Sequence, residues 1–554
     1  MCGIFGLFNA GDLSEEELEL IITFFKKGTD RGPDNYCFDY HKDDNMSIGF
    51  HRLSINGLND ESNQPFYIND KILICNGEIY NYKQLYNKYN ITPTTDSDCE
   101  IIIHLYEMFG FTKMIDMIDG VFSFILIDKT NNDSKQMYVA RDPFGVRPLY
   151  KCVRNSDEIV FTSTLKQLFN TKYTCRQFTP GTWEKYTMFN EKWTFDKTNI
   201  YFDLEDVQEN DDIDERLALN TIYHNLNASV KKRVETTDQP IACLLSGGLD
   251  SSLITSLVCK YYQNKDRKLE TYSIGLEGSV DIKYARYVAD FLGTKHTEII
   301  VTEREFLDNI PKVIYYIESY DTTTVRASVG NYLVAKYVSQ HSKAKVLFNG
   351  DGSDEVTGGY LYFHKAPNNA EFDKECRRLL TDISYFDVLR SDRCISSNGL
   401  EARTPFLDKQ FVNDYFTIPI NLRNHVNSQN CEKYLLRKAF LNRKHIYLPD
   451  NVLWRTKEAF SDGVSSNNKS WFQIIKEEVE NPNFKVDLLN NNDNDNDNDN
   501  EYSWNTPTTL EMRYYRNIFN FYYGNNDALI PYFWMPKFVN ATDSSARTLD
   551  IYRN

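Results

Sequence analysis

Apolar and alternating stretches of strand length dominate the first part of the chain. Gly and Asn residues separate these stretches, as they do in turns between β-strands. The stretches lie at residues 4–8, 47–55, 71–75, 121–127 and 136–140. Helical spacing of apolar residues appears at 15–25 and 98–108. The pattern predicts an α+β domain over residues 1–204.

The pattern of apolar residues changes after an acidic, polar segment at residues 205–215, which we interpret as a linker. Short apolar strands then alternate with helices, and such βαβ units predict a parallel sheet with right-handed crossovers. The predicted strands are 241–245, 271–276, 296–301 and 345–348, and the predicted helices are 251–262 and 282–292. We therefore expect an α/β domain over 216–554. Within it, the Asn/Asp run at 490–500 cannot bury apolar area and is predicted to be a disordered surface insertion.

The composition excludes several classes of protein. The 554 residues include 62 Lys and Arg against 79 Asp and Glu, a net charge of −17, so we expect no bulk attraction to nucleic-acid phosphates. There is no stretch of 18 apolar residues, and the N-terminus lacks the cationic region of a secretory signal. We therefore expect a cytoplasmic protein without a membrane span.

Cysteine and histidine usage agrees with this expectation. The 11 Cys residues are odd in number and contain no C-x-x-C pair, and the 9 His residues form no H-E-x-x-H motif. These counts argue against a disulfide framework and a zinc site, and for a reducing compartment.

Cys2 is a candidate nucleophile because of its position. Removal of Met1 would leave a cysteine with a free α-amine, which titrates near neutral pH and can accept the thiol proton. A cysteine at position 2 is usually accidental, so the hypothesis needs support from other residues.

Residues further along the chain supply that support. Asn76 and Gly77 suit an oxyanion hole, since glycine lets the backbone approach closely. Arg52 suits an α-carboxylate, and Glu78 and Asp98 suit an α-ammonium. The alternatives are a hairpin turn at Asn76-Gly77, a surface ion pair for Arg52 and a helix N-cap for Asp98. Together with the thiol, the set would hold an amino acid by its backbone with its side-chain amide facing the sulfur.

With these motifs, the amino-terminal part resembles the class II glutamine amidotransferases, a family of amino-terminal-nucleophile hydrolases. The matching strings lie at residues 1–6 (MCGIFG), 31–34 (RGPD), 76–81 (NGEIYN) and 97–100 (SDCE). The resemblance implies an αββα glutaminase that releases ammonia. It implies glutamine binding by Arg31, Arg52, Leu53, Ser54, Ile55, Asn56, Asn76, Gly77, Glu78 and Asp98. The family usually has His where this chain has Asp30, which leaves the local hydrogen bonding open.

A glycine-rich string at residues 246–252, Ser-Gly-Gly-Leu-Asp-Ser-Ser, joins a predicted strand to a predicted helix. Free backbone N–H groups at a helix N-terminus bind phosphate. The string lacks the Gly-Lys-Ser/Thr ending of a Walker A loop, and the chain has no dinucleotide fingerprint. It resembles the PP-loop of ATP pyrophosphatases, which split ATP between its α and β phosphates. The alternative is a Ser-capped helix after a tight turn.

A second loop, residues 349–355 (NGDGSDE), follows the predicted strand that ends at Phe348. Paired glycines and three carboxylates at the carboxyl end of a strand suit a nucleotide–metal site, with an acidic turn as the alternative. Three further strings, at 323–328, 399–408 and 457–463, are each more typical of structural segments when taken alone.

Taken together, the two parts resemble the glutamine-hydrolysing asparagine synthetases over nearly the whole chain. The resemblance implies that Leu245, Ser246, Gly247, Gly248, Asp250, Ser251, Ile274, Asn349 and Gly350 bind ATP, that Asp250 and Asp354 hold Mg²⁺, and that Thr323, Thr324 and Arg326 bind aspartate. It implies catalytic roles for Cys2, Asn76, Gly77, Asp351 and Lys457, the last at the α-phosphate. Two departures stand out. Asn349 replaces a family Ser, and Asp351 replaces a Glu that promotes amide formation, so that the carboxylate loses one methylene of reach.

The resemblance implies ATP-dependent synthesis of L-asparagine from L-aspartate and L-glutamine, through a Cys2 glutamyl thioester and β-aspartyl-AMP. AMP, pyrophosphate and glutamate would be the other products. The oligomeric state is open, with a homodimer as one alternative. Three rival functions remain: a related synthetase, such as a β-lactam-forming one, that adenylates another acid; a phosphoribosyl amidotransferase, whose second-domain loop is absent here; and a non-catalytic regulatory or scaffold protein.

Overall fold

The computed structural model describes residues 1–131, 134–170, 172–262, 267–426, 430–456, 469–481, 504–524 and 526–545. The predicted insertion at 490–500 and Lys457 lie outside these ranges. Within them, no helix is long and apolar enough to cross a membrane.

Two six-stranded antiparallel sheets form the amino-terminal part, which we call the sandwich. Their strands are β1 (Gly3–Phe8), β2 (Asn35–His41), β3 (Met46–Arg52), β4 (Phe66–Ile68), β5 (Lys71–Ile79), β6 (Gly120–Asp128), β7 (Gln136–Arg141), β8 (Tyr150–Arg154), β9 (Glu158–Thr162), β10 (Thr174–Gln177), β11 (Thr182–Phe189) and β12 (Lys192–Ile200). The first sheet has the order β10-β8-β9-β1-β3-β2, and the second has the order β12-β11-β7-β6-β5-β4.

The two sheets face each other across an apolar core. Ile4 and Phe8 from β1 and Ile72 and Ile74 from β5 belong to one buried cluster, so alternate residues of both strands point inward. The outer faces are covered by helices: α1 (Glu15–Phe25) on the first sheet, and α2 (Tyr82–Tyr89), α3 (Ile101–Phe109) and α4 (Phe111–Met117) on the second. The predicted αββα arrangement is confirmed.

A five-stranded parallel sheet organises the rest of the described chain, which we call the parallel-sheet half. Its strands are β13 (Ile241–Leu244), β14 (Glu270–Leu276), β15 (Lys295–Val301), β16 (Val346–Phe348) and β17 (Glu401–Arg403), in the order β15-β14-β13-β16-β17. All of its strand pairs are parallel, which confirms the predicted α/β class.

Helices cover both faces of this sheet and continue beyond it. They are α5 (Glu215–Glu235), α6 (Leu249–Tyr261), α7 (Val280–Leu292), α8 (Glu303–Ile317), α9 (Thr322–His341), α10 (Ser353–Thr357), α11 (Asn369–Asp382), α12 (Asp387–Ser396), α13 (Lys409–Thr417), α14 (Ile420–Arg423), α15 (Tyr434–Phe440), α16 (Asp450–Leu453), α17 (Trp471–Val479) and α18 (Leu510–Tyr523). Helix α6 packs on one face of the central strand β13 and α9 on the other. The carboxyl ends of β13 and β16, where the predicted phosphate loop and the predicted nucleotide–metal loop begin, therefore lie side by side.

The segment predicted as a linker is bound to the parallel-sheet half. Arg377 donates from Nη2 to the carbonyl of Val207 at 3.1 Å, and the Asn210 N–H donates to the carbonyl of Thr417 at 2.8 Å. The division of the chain at residues 205–215 stays a prediction.

One disulfide was not anticipated from the cysteine count. Cys152 and Cys175 are direct neighbours across β8 and β10, and the structure joins them. Their sequence separation of 23 residues resembles no short Cys motif, so only strand pairing brings them together.

Six buried charged residues connect the sandwich to the parallel-sheet half, and we call them the interdomain network. In order of contact they are Arg31, Asp392, Arg147, Glu401, Arg403 and Glu78. Among the network's ion pairs across the boundary, the shortest joins Arg31 Nη1 to Asp392 Oδ2 at 2.8 Å, and both side chains are 2% exposed. Burial opposes ionisation of Glu401, but Arg403 and Arg147 outweigh it and lower the pKa of that carboxyl. The alternation of charge is what allows these groups to be buried.

Replacing Asp392 by Asn should lower the free energy of unfolding by about 3–5 kcal/mol, because it leaves the buried guanidinium of Arg31 without its carboxylate. The measurement is a urea titration followed by circular dichroism. The control is Asp157→Asn, which removes an exposed ion pair with Lys192 and should cost about 1 kcal/mol or less. Equal midpoints for the two variants would contradict the importance of the network.

Candidate active site

Cys2 lies at the start of β1, on the inner side of the sandwich. Its half-buried sulfur is 3.6 Å from the carbonyl oxygen and 3.5 Å from the N–H nitrogen of Leu53. Burial raises the pKa of the thiol, although the adjacent N-terminal charge acts in the opposite direction. A nearby base is therefore needed to produce the thiolate at neutral pH.

Asn76 continues the inward face of β5 and so points towards the face of β1 that carries Cys2. Its side chain is fully buried, yet neither Nδ2 nor Oδ1 has a hydrogen-bond partner. Such a group is costly unless a ligand completes it. Since β5 runs to Ile79, Asn76 and Gly77 belong to a strand and not to a hairpin turn.

Gly77 is required by the approach of the neighbouring strand. A Cβ atom there would lie 2.5 Å from the carbonyl oxygen of Val121 and 2.7 Å from Cα of Phe122, both on β6. A larger residue would push β6 away from the end of β5 that carries Asn76.

Strand β3 ends at Arg52, and the residues after it form a loop beside the thiol. The Arg52 guanidinium donates to the carbonyls of Asn59, at 2.9 Å, and Gly57, and to Asn63 Oδ1 at 2.6 Å. It therefore shapes the loop. Any carboxylate it binds must share these donors or displace them.

Two buried carboxylates stand at the far end of β5. Glu78 accepts from Asn56 Nδ2 and lies 3.4 Å from Arg403 Nη2, and burial raises its pKa well above the usual range. Asp98 accepts from the N–H of Ile79 at 2.6 Å, and burial raises its pKa to about 6. An α-ammonium would relieve the cost of ionising either group.

The structure does not direct Arg31 to this pocket. Its Nε donates to the carbonyl of Cys2 at 3.0 Å, and Nη1 donates to Asp392 Oδ2 and to Ser396 Oγ, both on α12. Arg31 thus holds the backbone of the nucleophile against the parallel-sheet half.

Ser54 and Ile55 make backbone contacts on the same loop. The Ser54 N–H donates to Asp34 Oδ2 at 2.8 Å, and the Ile55 carbonyl accepts from the N–H of Asp238 at 3.0 Å. Direct glutamine contacts by Arg31, Ser54 and Ile55 stay predictions.

The second site lies at the carboxyl ends of β13 and β16. Gly247 has φ +76°, and a Cβ there would lie 2.4 Å from the backbone nitrogen of Ala285, so only glycine fits. Gly248 precedes the first turn of α6, and Ser246 Oγ and Ser251 Oγ are 2.9 Å apart across the loop. The loop therefore turns the open N-terminus of α6 towards the pocket.

The acidic loop after β16 packs directly on this phosphate loop. A Cβ on Gly350 would lie 2.7 Å from the backbone nitrogen of Ser251. Asp250 and Asp354 converge from the two loops on one cation, Lys433 Nζ, at 2.6 and 2.7 Å. Two carboxylates that share one cation are close enough to share a divalent metal ion.

The two departures from the family pattern are both tied to α12. Asn349 donates from Nδ2 to Ser391 Oγ at 2.6 Å, and its Oδ1 accepts from the N–H of Asp351 at 3.3 Å. Asp351 Oδ1 accepts from Arg390 Nη2 at 3.0 Å, while the buried Oδ2 has no hydrogen-bond partner. The shorter carboxylate is therefore held in a fixed orientation with one oxygen available to the pocket.

Thr323 and Thr324 line the same pocket at the first turn of α9, and Arg326 does not. The Arg326 guanidinium is bound on all sides by Glu511 and Asp543, at 2.6–2.8 Å. The prediction that Arg326 binds aspartate therefore lacks support in this structure. The sequence alone does not show that Arg326 is engaged in this way, because its two carboxylate partners lie 185 and 217 residues away.

Other pocket residues were missed in the sequence because no short string contains them. Leu245 and Ile274 line the pocket as predicted, and the structure adds Tyr360, Asp387, Arg390, Lys433 and Trp534. The 10-residue helix α12 carries Asp387 and Arg390 at its start and is buried at almost every position, a signal too general to mark a site.

Asp30, where the family has His, makes an ion pair with Lys166. Its backbone carbonyl accepts from the N–H of Gly399 at 3.1 Å. The loop before Arg31 is thus held by the ion pair with Lys166 and by the backbone contact with Gly399, while the buried Oδ1 of Asp30 has no hydrogen-bond partner.

A thiol that faces an unpartnered buried amide, in one chain with a pocket between a phosphate loop and an acidic loop, is the arrangement expected of a glutamine amidotransferase fused to a synthetase of the ATP-pyrophosphatase class. Residues 1–210 match the family model of the glutamine amidotransferase domain, and residues 221–374 and 366–486 match that of asparagine synthase.

The relatives agree over the full length. Glutamine-hydrolysing asparagine synthetase of Gallus gallus is 38% identical over 592 residues, covering 100% of this chain and 99% of the relative. The enzymes of Rattus norvegicus and Homo sapiens are 38% identical over 582 residues with the same coverage. The chain belongs to the glutamine-hydrolysing asparagine synthetase family.

Replacing Gly350 by Ala should lower the melting temperature and weaken ATP binding at least about tenfold, because the new methyl group displaces the phosphate loop at Ser251. Calorimetry of the free protein and titration with a fluorescent ATP analogue measure the two effects. In the matched variant Gly248→Ala, the methyl group meets nothing closer than 3.4 Å, so the free protein should keep its melting temperature. A wild-type melting temperature in G350A would contradict the packing of the loops.

Proposed function

We propose that this protein makes L-asparagine from L-aspartate, ATP and ammonia that it releases from L-glutamine. The observation that carries the proposal is the presence, in one chain, of the Cys2–Asn76 pair and of a phosphate-loop pocket that contains the half-free carboxylate of Asp351. A phosphoribosyl amidotransferase or a scaffold protein would not need both.

The first half-reaction uses the residues of the sandwich. Once Met1 is removed, the α-amine of Cys2 accepts the thiol proton and the sulfur attacks the amide carbon of glutamine. Asn76 Nδ2 and the Gly77 N–H stabilise the oxyanion, the bond to nitrogen breaks, and ammonia leaves with the transferred proton. Water then hydrolyses the thioester to glutamate. Glu78 and Asp98 hold the α-ammonium, and Arg52 attracts the α-carboxylate.

The second half-reaction uses the parallel-sheet half. The loop at Ser246, Gly247, Gly248 and Ser251 receives the phosphates, and Leu245, Ile274, Asn349 and Gly350 surround the adenosine. The aspartate β-carboxylate, placed by Thr323 and Thr324, attacks the α-phosphorus, and pyrophosphate leaves. Lys457 keeps its predicted role in neutralising charge at the α-phosphate.

Asp250 and Asp354 fit a Mg²⁺ site. Both carboxylates already contact one cation, the ammonium of Lys433. Among the described residues, no cluster of three or more His, Cys, Asp or Glu side chains suited to a metal exists. A site with two carboxylates leaves positions for phosphate oxygens and water, as Mg²⁺ prefers. When bound, the ion would neutralise charge on the leaving pyrophosphate.

Met1 lies between the two sites. Its side chain is 1% exposed and belongs to a buried cluster with Ile274 and Val334, which line the ATP pocket, and with Leu400 and Ala402. Its removal would therefore open space between Cys2 and the pocket as well as free the amine. Ammonia that crosses this contact stays unprotonated, and Asp351 accepts its proton as it attacks the acyl carbon.

Replacing Cys2 by Ala should abolish glutamine-dependent synthesis and keep synthesis from added ammonium within about twofold, since the pocket of the parallel-sheet half is untouched. Asparagine is quantified by chromatography with each nitrogen donor. Loss of both activities in a folded C2A protein would contradict the two-site scheme, and release of ADP by the wild type would contradict cleavage between the α and β phosphates.

Replacing Asp351 by Asn should lower asparagine formation about 10²–10⁴-fold while AMP release continues, because the amide keeps the shape but cannot accept the ammonia proton. Product ratios from labelled ATP and aspartate measure this. The control is Asp351→Glu, which keeps the carboxylate and should retain or raise asparagine per ATP. Wild-type asparagine yield in D351N would remove Asp351 from the mechanism.

A further inference from the structure

The carboxyl-terminal segment, residues 530–545, forms part of the synthetase pocket. Trp534 lines that pocket and is 7% exposed, with its ring centroid 5.5 Å from that of Tyr360. The backbone N–H of Trp534 donates to Asp321 Oδ1 at 2.7 Å. Asp321 is also the N-cap of α9 and accepts from the N–H and hydroxyl of Thr324. One carboxylate therefore fixes both the backbone at Trp534 and the start of the helix that carries the predicted aspartate-binding threonines.

A second anchor holds the end of this segment. The Arg326 guanidinium donates to both carboxylate oxygens of Asp543, at 2.7 and 2.8 Å, and to both of Glu511, at 2.8 and 2.6 Å. Bidentate pairs of this kind are the strong and directional ones. Because Arg326 is buried and fully engaged, its position explains the path of the chain after Trp534 better than it explains substrate binding.

Tyr360 belongs to a row of contacting side chains that leads from Trp534 to the carboxylate of Asp351. The Tyr360 hydroxyl donates to Glu355 and is 3.3 Å from Asp387 Oδ2. Arg390 Nη2 joins Asp387 Oδ1, at 2.8 Å, to Asp351 Oδ1, at 3.0 Å. The indole thus supports a row of side chains that ends at the group expected to receive the ammonia proton.

We propose that the segment 530–545 keeps water away from the activated aspartate, with Trp534 as the shielding side chain and the Arg326–Asp543 ion pair as its anchor. This inference rests on the proposed function, since it concerns the fate of β-aspartyl-AMP. An acyl-adenylate that is not shielded is lost to water.

The competing reaction is a simple hydrolysis. The oxygen of water attacks the acyl carbon, the bond from that carbon to the phosphate oxygen breaks, and AMP leaves with the electron pair. The two protons of the water pass to solvent or to the phosphate of AMP, and aspartate is regenerated. Each such event consumes one ATP without forming asparagine, so the molar ratio of AMP to asparagine measures the shielding directly.

The experiment compares W534A and D543N with the wild type in the full-length enzyme, with glutamine and with ammonium as nitrogen donors. The wild type should give a ratio near one. Both variants should raise it at least about threefold with either donor, because the leak follows adenylation. W534F, which keeps an aromatic ring, should stay near the wild type, as should D157N, which removes an exposed carboxylate in the sandwich.

The ratio is independent of the fraction of folded protein, so partial loss of stability cannot imitate the effect. In D543N the Arg326 guanidinium still has Glu511 as a partner, so the buried cation is not left unpaired. Wild-type ratios in both variants would overturn the inference. A lower aspartate KM in D543N at an unchanged ratio would also overturn it, because Asp543 would then be competing with substrate for Arg326. Absence of asparagine in the wild type would instead contradict the proposed function.

Discussion

The alternation of buried charges across the boundary between the two halves is the constraint on which the other features depend. Removing these charged side chains from water is expensive, and the cost is compensated by the opposite charges beside them in the interdomain network and by their hydrogen bonds. That requirement fixes how the halves dock. Once they are docked, Arg31 holds the backbone of Cys2 and Arg403 stands beside Glu78, so the geometry of the thiol pocket is set partly by residues of the parallel-sheet half.

The elements with local signatures could be predicted from the sequence. Cys2, the Asn76-Gly77 pair and the phosphate loop are short strings whose chemistry can be recognised without tertiary structure. The structure places Cys2 directly before β1, Asn76-Gly77 within β5 and the phosphate loop after β13. The predicted strand 47–55 in fact ends at Arg52, because Arg52 turns to hold the loop that follows. Strands β2, β4 and β8 to β12 were not predicted. In β8 and β12, partly or fully exposed polar residues weaken the apolar alternation.

Residues with distant partners could not be assigned. Arg31 was expected to contact glutamine, but its carboxylate partner is 361 residues away on α12. Arg326 is similar, with Glu511 and Asp543 as its partners. The role of an arginine cannot be assigned from its sequence motif alone. A carboxylate from a distant part of the chain can form an ion pair with the guanidinium and hold it away from the expected site. Asn349 and Asp351 show the reverse case, where two changes from the family pattern are reconciled by one helix through Ser391 and Arg390.

Helix α12 contacts both sites, and this affects how ligands at the two sites can influence each other. Arg390 near its start contacts Asp351 in the nucleotide pocket, and Asp392 and Ser396 contact Arg31 beside the thiol. The two groups of contacts are less than two turns apart on this one helix. If one ligand displaces α12 at one end and a second ligand displaces it at the other end, each ligand changes the affinity of the other by the same factor. A nitrogen donor and a nucleotide that both act on α12 would therefore be coupled through a single secondary-structure element.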